Sequence, residues 1–339
     1  MQVNRYLRLN MQLFAQVVAQ LEHGLGVYTP ADILTQYLKV SATLYFFPFI
    51  QGVIDSLMDL GSIRTSETYN AAFSSFKQFR KQGDLLLREI DSEVITAYEA
   101  YLKAKGLSRN TCSFYLRNLR AVYNRAVDKG LIQQRFPFKH VYTGVERTLK
   151  RAVSIEVIKQ IKELDLSMHP VCAYARSLFL FSFYTRGMSF VDMAYLRKSD
   201  LSNGFLTYRR RKTGQQLVIK WERCMQELIN PFINSSSPYL LPIIKPSSRM
   251  DERRQYLNAS QNVNRNLKRI GKHLGLPVPL TMYVARHAWA SIAKSKNVPL
   301  AVISEGMGHD SEATTLIYLA SLDTQAVDQA NSLILSALD

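Results

Sequence analysis

Tyr318 stands nine residues after the histidine of Gly308-His309, about two and a half turns if the intervening chain is helical. Upstream lie a second cluster, Tyr283-Val284-Ala285-Arg286-His287, and two cations in separate segments, Arg186 and Lys212. Phosphodiester transfer needs a nucleophile, cations that neutralise charge developing on the non-bridging oxygens, and a proton donor for the departing oxygen. A phenol, fixed cations and an imidazole meet those needs with neither a metal nor a cofactor. Each residue alone has a plainer use: Tyr318 within Leu316-Ile317-Tyr318-Leu319 as core, His309 after glycine as a helix cap, Lys212 as a turn residue. Their order and spacing carry the signal.

The elements that position such groups need more than one core. A chain of 339 residues is comfortable as two domains with a short extension. Its 43 Lys+Arg against 27 Asp+Glu give +16, and the excess is concentrated. Residues 1–102 carry 8 basic and 10 acidic side chains, whereas 103–150 carry 11 and 2. A basic block of this kind reads as a polyanion footprint or as a solvated surface kept for solubility. Cys112, Cys172 and Cys224 are far apart with no CxxC pair, which suggests neither disulfides nor zinc and fits a reducing cytoplasm. The apolar runs 42–54 and 171–184 are too short to span a bilayer, and no signal peptide is expected.

Helical periodicity dominates. Residues 1–26 read as a helix ending at Gly24 and Gly26, and Thr29-Pro30-Ala31-Asp32 starts another. The pattern stays helical from about Tyr45 to Gly130, with a cap expected at Ser108. From Arg109 to Lys129, Tyr115, Leu119, Val122 and Ala126 form an apolar stripe. Arg109, Ser113, Arg117, Arg120 and Asn124 fall on the opposite side, a face suited to phosphates and groove edges or simply to solvent. Residues 135–150 read as a basic linker between domains. A buried helix is expected over 171–184, a strand-turn-strand around Lys212-Thr213-Gly214, and helices from about Ser260 to the end.

Several of these pieces together resemble the tyrosine recombinases, the phage integrase family, over roughly residues 40–330. Ala285-Arg286-His287-Ala288 is similar to the family's second catalytic arginine with its histidine, and Gly308-His309 with Tyr318 to its last box and nucleophile. Arg210-Arg211-Lys212-Thr213-Gly214 resembles the mobile turn bearing the catalytic lysine. Gly106-Leu107-Ser108 through Tyr123-Asn124-Arg125-Ala126, with Pro137-Phe138, resembles the helical core-binding domain. Thr185-Arg186-Gly187-Met188-Ser189-Phe190-Val191-Asp192 is similar to the integrases of Bacteroides-type mobile elements.

The resemblance implies a mainly α, two-domain C-shaped clamp: a SAM-like core-binding domain and a mostly helical catalytic domain with a small antiparallel sheet. The corresponding division is an N-terminal helical extension over 1–36, a core-binding domain over 37–140, a linker over 141–150 and a catalytic domain over 151–339. Tyr318 would attack a DNA phosphate to leave a 3′-phosphotyrosyl bond, Arg286 would clamp the phosphate, His309 would hydrogen-bond it, and Lys212 would protonate the 5′-oxygen. Arg109, Arg117, Arg120 and Arg210 would touch DNA.

Two positions depart from the family pattern. Tyr283 stands where a histidine or lysine is usual, and keeps a hydrogen-bond donor there without a charge near pH 7. Ser189 occupies the usual first-arginine position with Asp192 as its acidic companion, and Arg186, three residues earlier and expected one turn away on the same helix, is assigned the role. If Arg186 instead points into the core or pairs only with Asp192, with Arg210 or another cation in that site, the hairpin supplies the charge.

The implied partner is double-stranded DNA at specific sites, with four protomers on two sites and a monomer allowed without DNA. The apolar positions of 324–338 would dock on a neighbouring protomer or on their own domain. Residues 1–40 are too short and too helical for the arm-binding domain of larger integrases, which favours a simpler recombinase. Two other functions compete: a DNA-binding regulator that has lost catalysis, and a type IB topoisomerase.

Overall fold

A computed structural model describes residues 2–25, 27–81, 83–146, 152–232, 236–319 and 335–336. The chain divides into two compact units, Met1–Arg147 and Thr148–Asp339.

The first unit contains α1 (Gln2–Leu25), α2 (Pro30–Leu44), α3 (Phe46–Asp59), α4 (Ile63–Phe79), α5 (Ser92–Ala104) and α6 (Arg109–Asp128). Local chemistry sets the starts of three of them. Asp32 accepts the backbone N–H of Thr29 beside the proline that opens α2, Asp91 caps α5 through Val94 N, and Ser108 caps α6 through Thr111 N. Phe46, Phe49, Ile50, Val53 and Leu57 recur at helical spacing along α3 and enter one core with Phe76, Tyr98, Leu102, Leu116 and Leu119. Tyr98 is fully enclosed and donates to Ser75 Oγ at 2.8 Å, so its hydroxyl is not stranded in the core.

The second unit runs α7 (Ile155–Glu163), α8 (Pro170–Tyr184), α9 (Phe190–Tyr195), β1 (Leu201–Ser202), β2 (Phe205–Arg209), β3 (Gln216–Lys220), α10 (Arg223–Ile229), α11 (Glu252–His273), α12 (Met282–Ser295), α13 (Leu300–Met307) and α14 (Glu312–Leu319). Four consecutive residues of α8, Leu178 to Phe181, are buried because α10, α11 and α12 pack around it. The strands form an antiparallel sheet in the order β1-β2-β3, with Arg209 opposite Gln216 at the hairpin end. Period-2 alternation puts Leu206, Tyr208, Leu217 and Ile219 into the core and their neighbours in solvent.

The structure departs from the sequence reading at several places. Strand β1 was not foreseen, being only two residues long, and α11 begins at Glu252, eight residues earlier than expected, under an Asp251 cap to Arg254 N. Arg186 and Ser189 do not share a helix: α8 ends at Tyr184, Arg186 and Gly187 both adopt positive φ, and Ser189 caps the start of α9. The apolar tail over 324–338 lies outside the described residues apart from 335–336. No described helix is long and apolar enough to cross a membrane.

Candidate active site

Arg286 is buried on α12, and its guanidinium is gripped by two carbonyls: Nη1 donates to Gly187 O and Nη2 to Met307 O, each at 2.8 Å. The turn between α8 and α9 makes this possible. Gly187 has φ 73°, and a Cβ there would lie 2.7 Å from Arg286 Cα and 2.8 Å from its Cγ. Only glycine satisfies both the conformation and the contact.

The same guanidinium reaches His309, with Nη2 to Nε2 at 2.9 Å, while Nδ1 of His309 meets Thr315 Oγ1 at 2.8 Å. Gly308 places the imidazole by ending α13 in the left-handed conformation, φ 65°. Burial first, and then the charges of Arg286, Arg210 and Lys212, push His309 down to about 4 from 6.5. Thr315 is fully buried on α14, and Tyr318 follows it one turn further along that helix.

The β2-β3 hairpin brings two more cations. Arg210 N donates to Gln215 O and Gly214 N to Arg210 O, both at 2.8 Å, closing the turn that displays Lys212 in solvent. The Arg210 side chain does not follow Lys212 outward. It is 8% exposed and donates to Gly308 O, the carbonyl next to His309.

Arg210, Lys212, Tyr283 and Arg286 line one cavity of about 580 Å³, together with Asn264 and Lys268 of α11. Arg186 is not among its lining residues; its side chain runs beside Gly306 of α13. Tyr283 is largely exposed and sets its ring edge-on to His287, with centroids 4.4 Å apart. Lys268 escaped the sequence reading because nothing in its local pattern separates it from other exposed cations of α11. Asn264, one turn before it, accepts from Met282 N at 2.9 Å and so fixes the start of α12 beneath Arg286.

Residues 45–141 match the model of the phage integrase SAM-like domain, and 154–325 match that of the phage integrase family. The chain belongs to the phage integrase family. Relatives of this tyrosine recombinase chain include the tyrosine recombinase XerA of Pyrococcus furiosus, 26% identical across 69% of this chain and 79% of that protein. The tyrosine recombinase XerD of Shewanella oneidensis is 21% identical across 80% and 91%. Among solved structures, a lambda integrase (75–356) dimer bound to a COC′ core site superposes with TM-score 0.62 at 15% identity, covering 80% of this chain and 97% of that one. The XerH site-specific recombinase bound to palindromic difH in a post-cleavage complex gives 0.63 at 18% identity, covering 85% and 84%. The fold is thus that of an integrase: mainly helical, with a SAM-like unit and a catalytic unit holding the three-stranded sheet, and the function is site-specific DNA recombination.

In the SAM-like unit of this integrase, the arginine face of α6 is not simply open. Residues 142–146 lie along it. Arg109 stacks on the Tyr142 ring at 3.9 Å and reaches Glu146 at 3.5 Å, and Arg120 Nη1 donates to Thr143 Oγ1 at 2.8 Å. Asn110 donates to Glu146 O at 2.9 Å and accepts from Glu146 N at 2.7 Å. Ser113, placed by periodicity on the outer face, is fully buried and donates to Gly144 O. Arg117 is half-buried in the same row.

Proposed function

We propose that this recombinase cuts and rejoins DNA through a phosphotyrosine on Tyr318, with Arg286 and His309 binding the scissile phosphate and Lys212 protonating the 5′-oxygen. The observation that carries the reading is convergence. Two guanidinium and two ammonium groups line one cavity, His309 is hydrogen-bonded to one of those guanidiniums, and α14 brings Tyr318 one turn after the threonine that holds His309. Guanidinium suits this task because its planar fork meets two phosphate oxygens at once. Keeping the bond energy in the phosphotyrosine removes any need for ATP.

Arg210 is proposed, in preference to Arg186, for the cation usually supplied by the first arginine. Support comes from its place in the cavity wall and its bond to the carbonyl beside His309. Tyr283 offers an uncharged donor at the cavity rim. The proposed partner is double-stranded DNA at specific sites, processed by four protomers on two sites. Arg109, Arg117 and Arg120 are proposed phosphate contacts. Integration or inversion of a small mobile element of the Bacteroides type, in the cytoplasm, is the setting proposed on the segment 185–192.

A nicked suicide duplex built from inverted repeats beside the gene tests this reading. The wild-type chain should form a covalent DNA adduct, and Tyr318→Phe should bind the duplex with little loss while forming none. Adduct surviving in that variant would place the nucleophile elsewhere, and a wild-type chain that binds the site without forming adduct would favour a regulator.

A further inference from the structure

We infer that Thr315 is a positioning residue that aims the His309 imidazole at the scissile phosphate from the helix that carries the nucleophile, an inference that rests on the phosphate-binding role proposed above for His309. Two bonds set the ring in the free site: Arg286 Nη2 meets Nε2 at 2.9 Å, and Thr315 Oγ1 meets Nδ1 at 2.8 Å. They do not share a fate. Nε2 carries a proton or a lone pair but not both, so it cannot accept from a guanidinium and donate to a phosphate oxygen together. When phosphate takes Nε2, the Arg286 bond is given up and the Thr315 bond carries over.

A hydroxyl suits that task. It accepts from Nδ1–H and donates to a bare Nδ1, so it holds the ring in either neutral tautomer and also accepts from the imidazolium. The χ2 torsion of histidine is broad and roughly two-fold, and a ring held at neither nitrogen presents carbon to the phosphate as readily as nitrogen. Thr315 is fully buried, which keeps water from standing in for it.

Helix α14 supplies the fixed base for this contact. Thr315 and Leu319 stand at i and i+4 on one face of the helix. Leu319 is buried in a small core with Ala290, Ile303 and Met307, whereas Leu316 is exposed. The inward face therefore docks at two points, one apolar and one on the imidazole, and Tyr318 follows Thr315 by one turn. The element that places the nucleophile also aims the histidine.

Single-turnover cleavage of the suicide duplex at saturating protein, run as a double-mutant cycle between Thr315 and His309, tests the inference. Thr315→Val keeps the shape and removes the hydroxyl. It should slow cleavage at least tenfold with DNA affinity within threefold of wild type, and Thr315→Ser should recover most of the rate. In a His309→Ala background, Thr315→Val should change the rate by less than twofold, because the ring through which the hydroxyl acts is gone. A packing defect in α14 would instead persist in both backgrounds. If Thr315→Val does not fold, Thr315→Ser and Thr315→Ala, which differ in the hydroxyl alone, give the same comparison.

A wild-type rate for Thr315→Val would overturn the inference, as would a tenfold loss repeated in the His309→Ala background. His309→Ala alone separates the two layers. A wild-type rate in that variant removes the proposed role of the histidine itself, whereas a large loss there with an undiminished further loss from Thr315→Val removes only the positioning role.

Discussion

Arg286 donates to His309, Nη2 to Nε2 at 2.9 Å. A guanidinium has no acceptor, so this Nε2 is unprotonated and the imidazole proton sits on Nδ1, directed at Thr315 Oγ1 2.8 Å away. The DNA-free site therefore holds a neutral histidine in one tautomer, and a phosphate arriving at Nε2 requires a proton there instead.

Titration should show this directly. In the free protein, the His309 ring signals should titrate near about 4 rather than 6.5. A native value below the unfolded one means that the contribution of His309 to stability is complete above about 6.5 and is lost as pH falls toward about 4. Urea midpoints measured from pH 7 to pH 4 should fall less steeply in His309→Asn than in wild type. On cognate DNA near pH 6, calorimetry in buffers of different ionisation enthalpy should register proton uptake that this variant lacks.

The two candidate cations should separate cleanly. Arg210→Ala should lower single-turnover cleavage by on the order of a hundredfold or more, the scale of losing one charge-assisted contact to the transition state. Arg186→Ala should cost less than tenfold, because that side chain is not in the cavity wall. The reverse order of effects would return the role to Arg186.

Gly187→Ala should be severe although it adds one methyl group. Its φ of 73° costs an L side chain about 1–2 kcal/mol, and overlap with Arg286 adds roughly 1–3 kcal/mol. Denaturant unfolding should show a loss of about 2–5 kcal/mol on those two terms, with cleavage falling further because Arg286 must shift. A variant of wild-type stability would show that the turn can move away from α12.

The contacts of 142–146 on α6 predict a salt effect. Asn110→Ala removes both bonds to the Glu146 backbone and should increase protease cleavage within 142–146 severalfold. If Arg109 and Arg120 turn to phosphates once freed, the slope of log K against log salt should steepen by up to about 0.9 for each. An unchanged slope in Asn110→Ala, and again after neutralising both arginines, would leave them as fasteners for this segment alone.

Much of the fold was legible in the sequence because it is local. The cap at Ser108, the proline opening α2 and the alternation around Lys212 each announce their element within a few residues. Arg286, Lys212, His309 and Tyr318 stand out as candidates by order and spacing, and the family resemblance supplies their proposed roles. What escaped depends on distant partners. Nothing near Ser113 forecasts Gly144, and nothing near Arg210 forecasts the carbonyl of Gly308, ninety-eight residues away. Reading Arg186 and Ser189 as one helical face failed for a different reason: a non-glycine residue at φ 60° interrupts the helix, and periodicity carries no sign of it.

The two carbonyls that hold Arg286 also divide the thermal behaviour of the site. A long cationic side chain carries about 2 kcal/mol of rotamer entropy. Arg286 has surrendered that freedom during folding, so phosphate capture orders it little further. Lys212, exposed at the tip of its turn, would in the proposed reaction surrender its own only when DNA arrives. Because that loss grows with temperature, warming below the unfolding range should weaken the lysine's hold on its oxygen sooner than the arginine's hold on the phosphate, and cleavage should become more dependent on proton delivery as temperature rises.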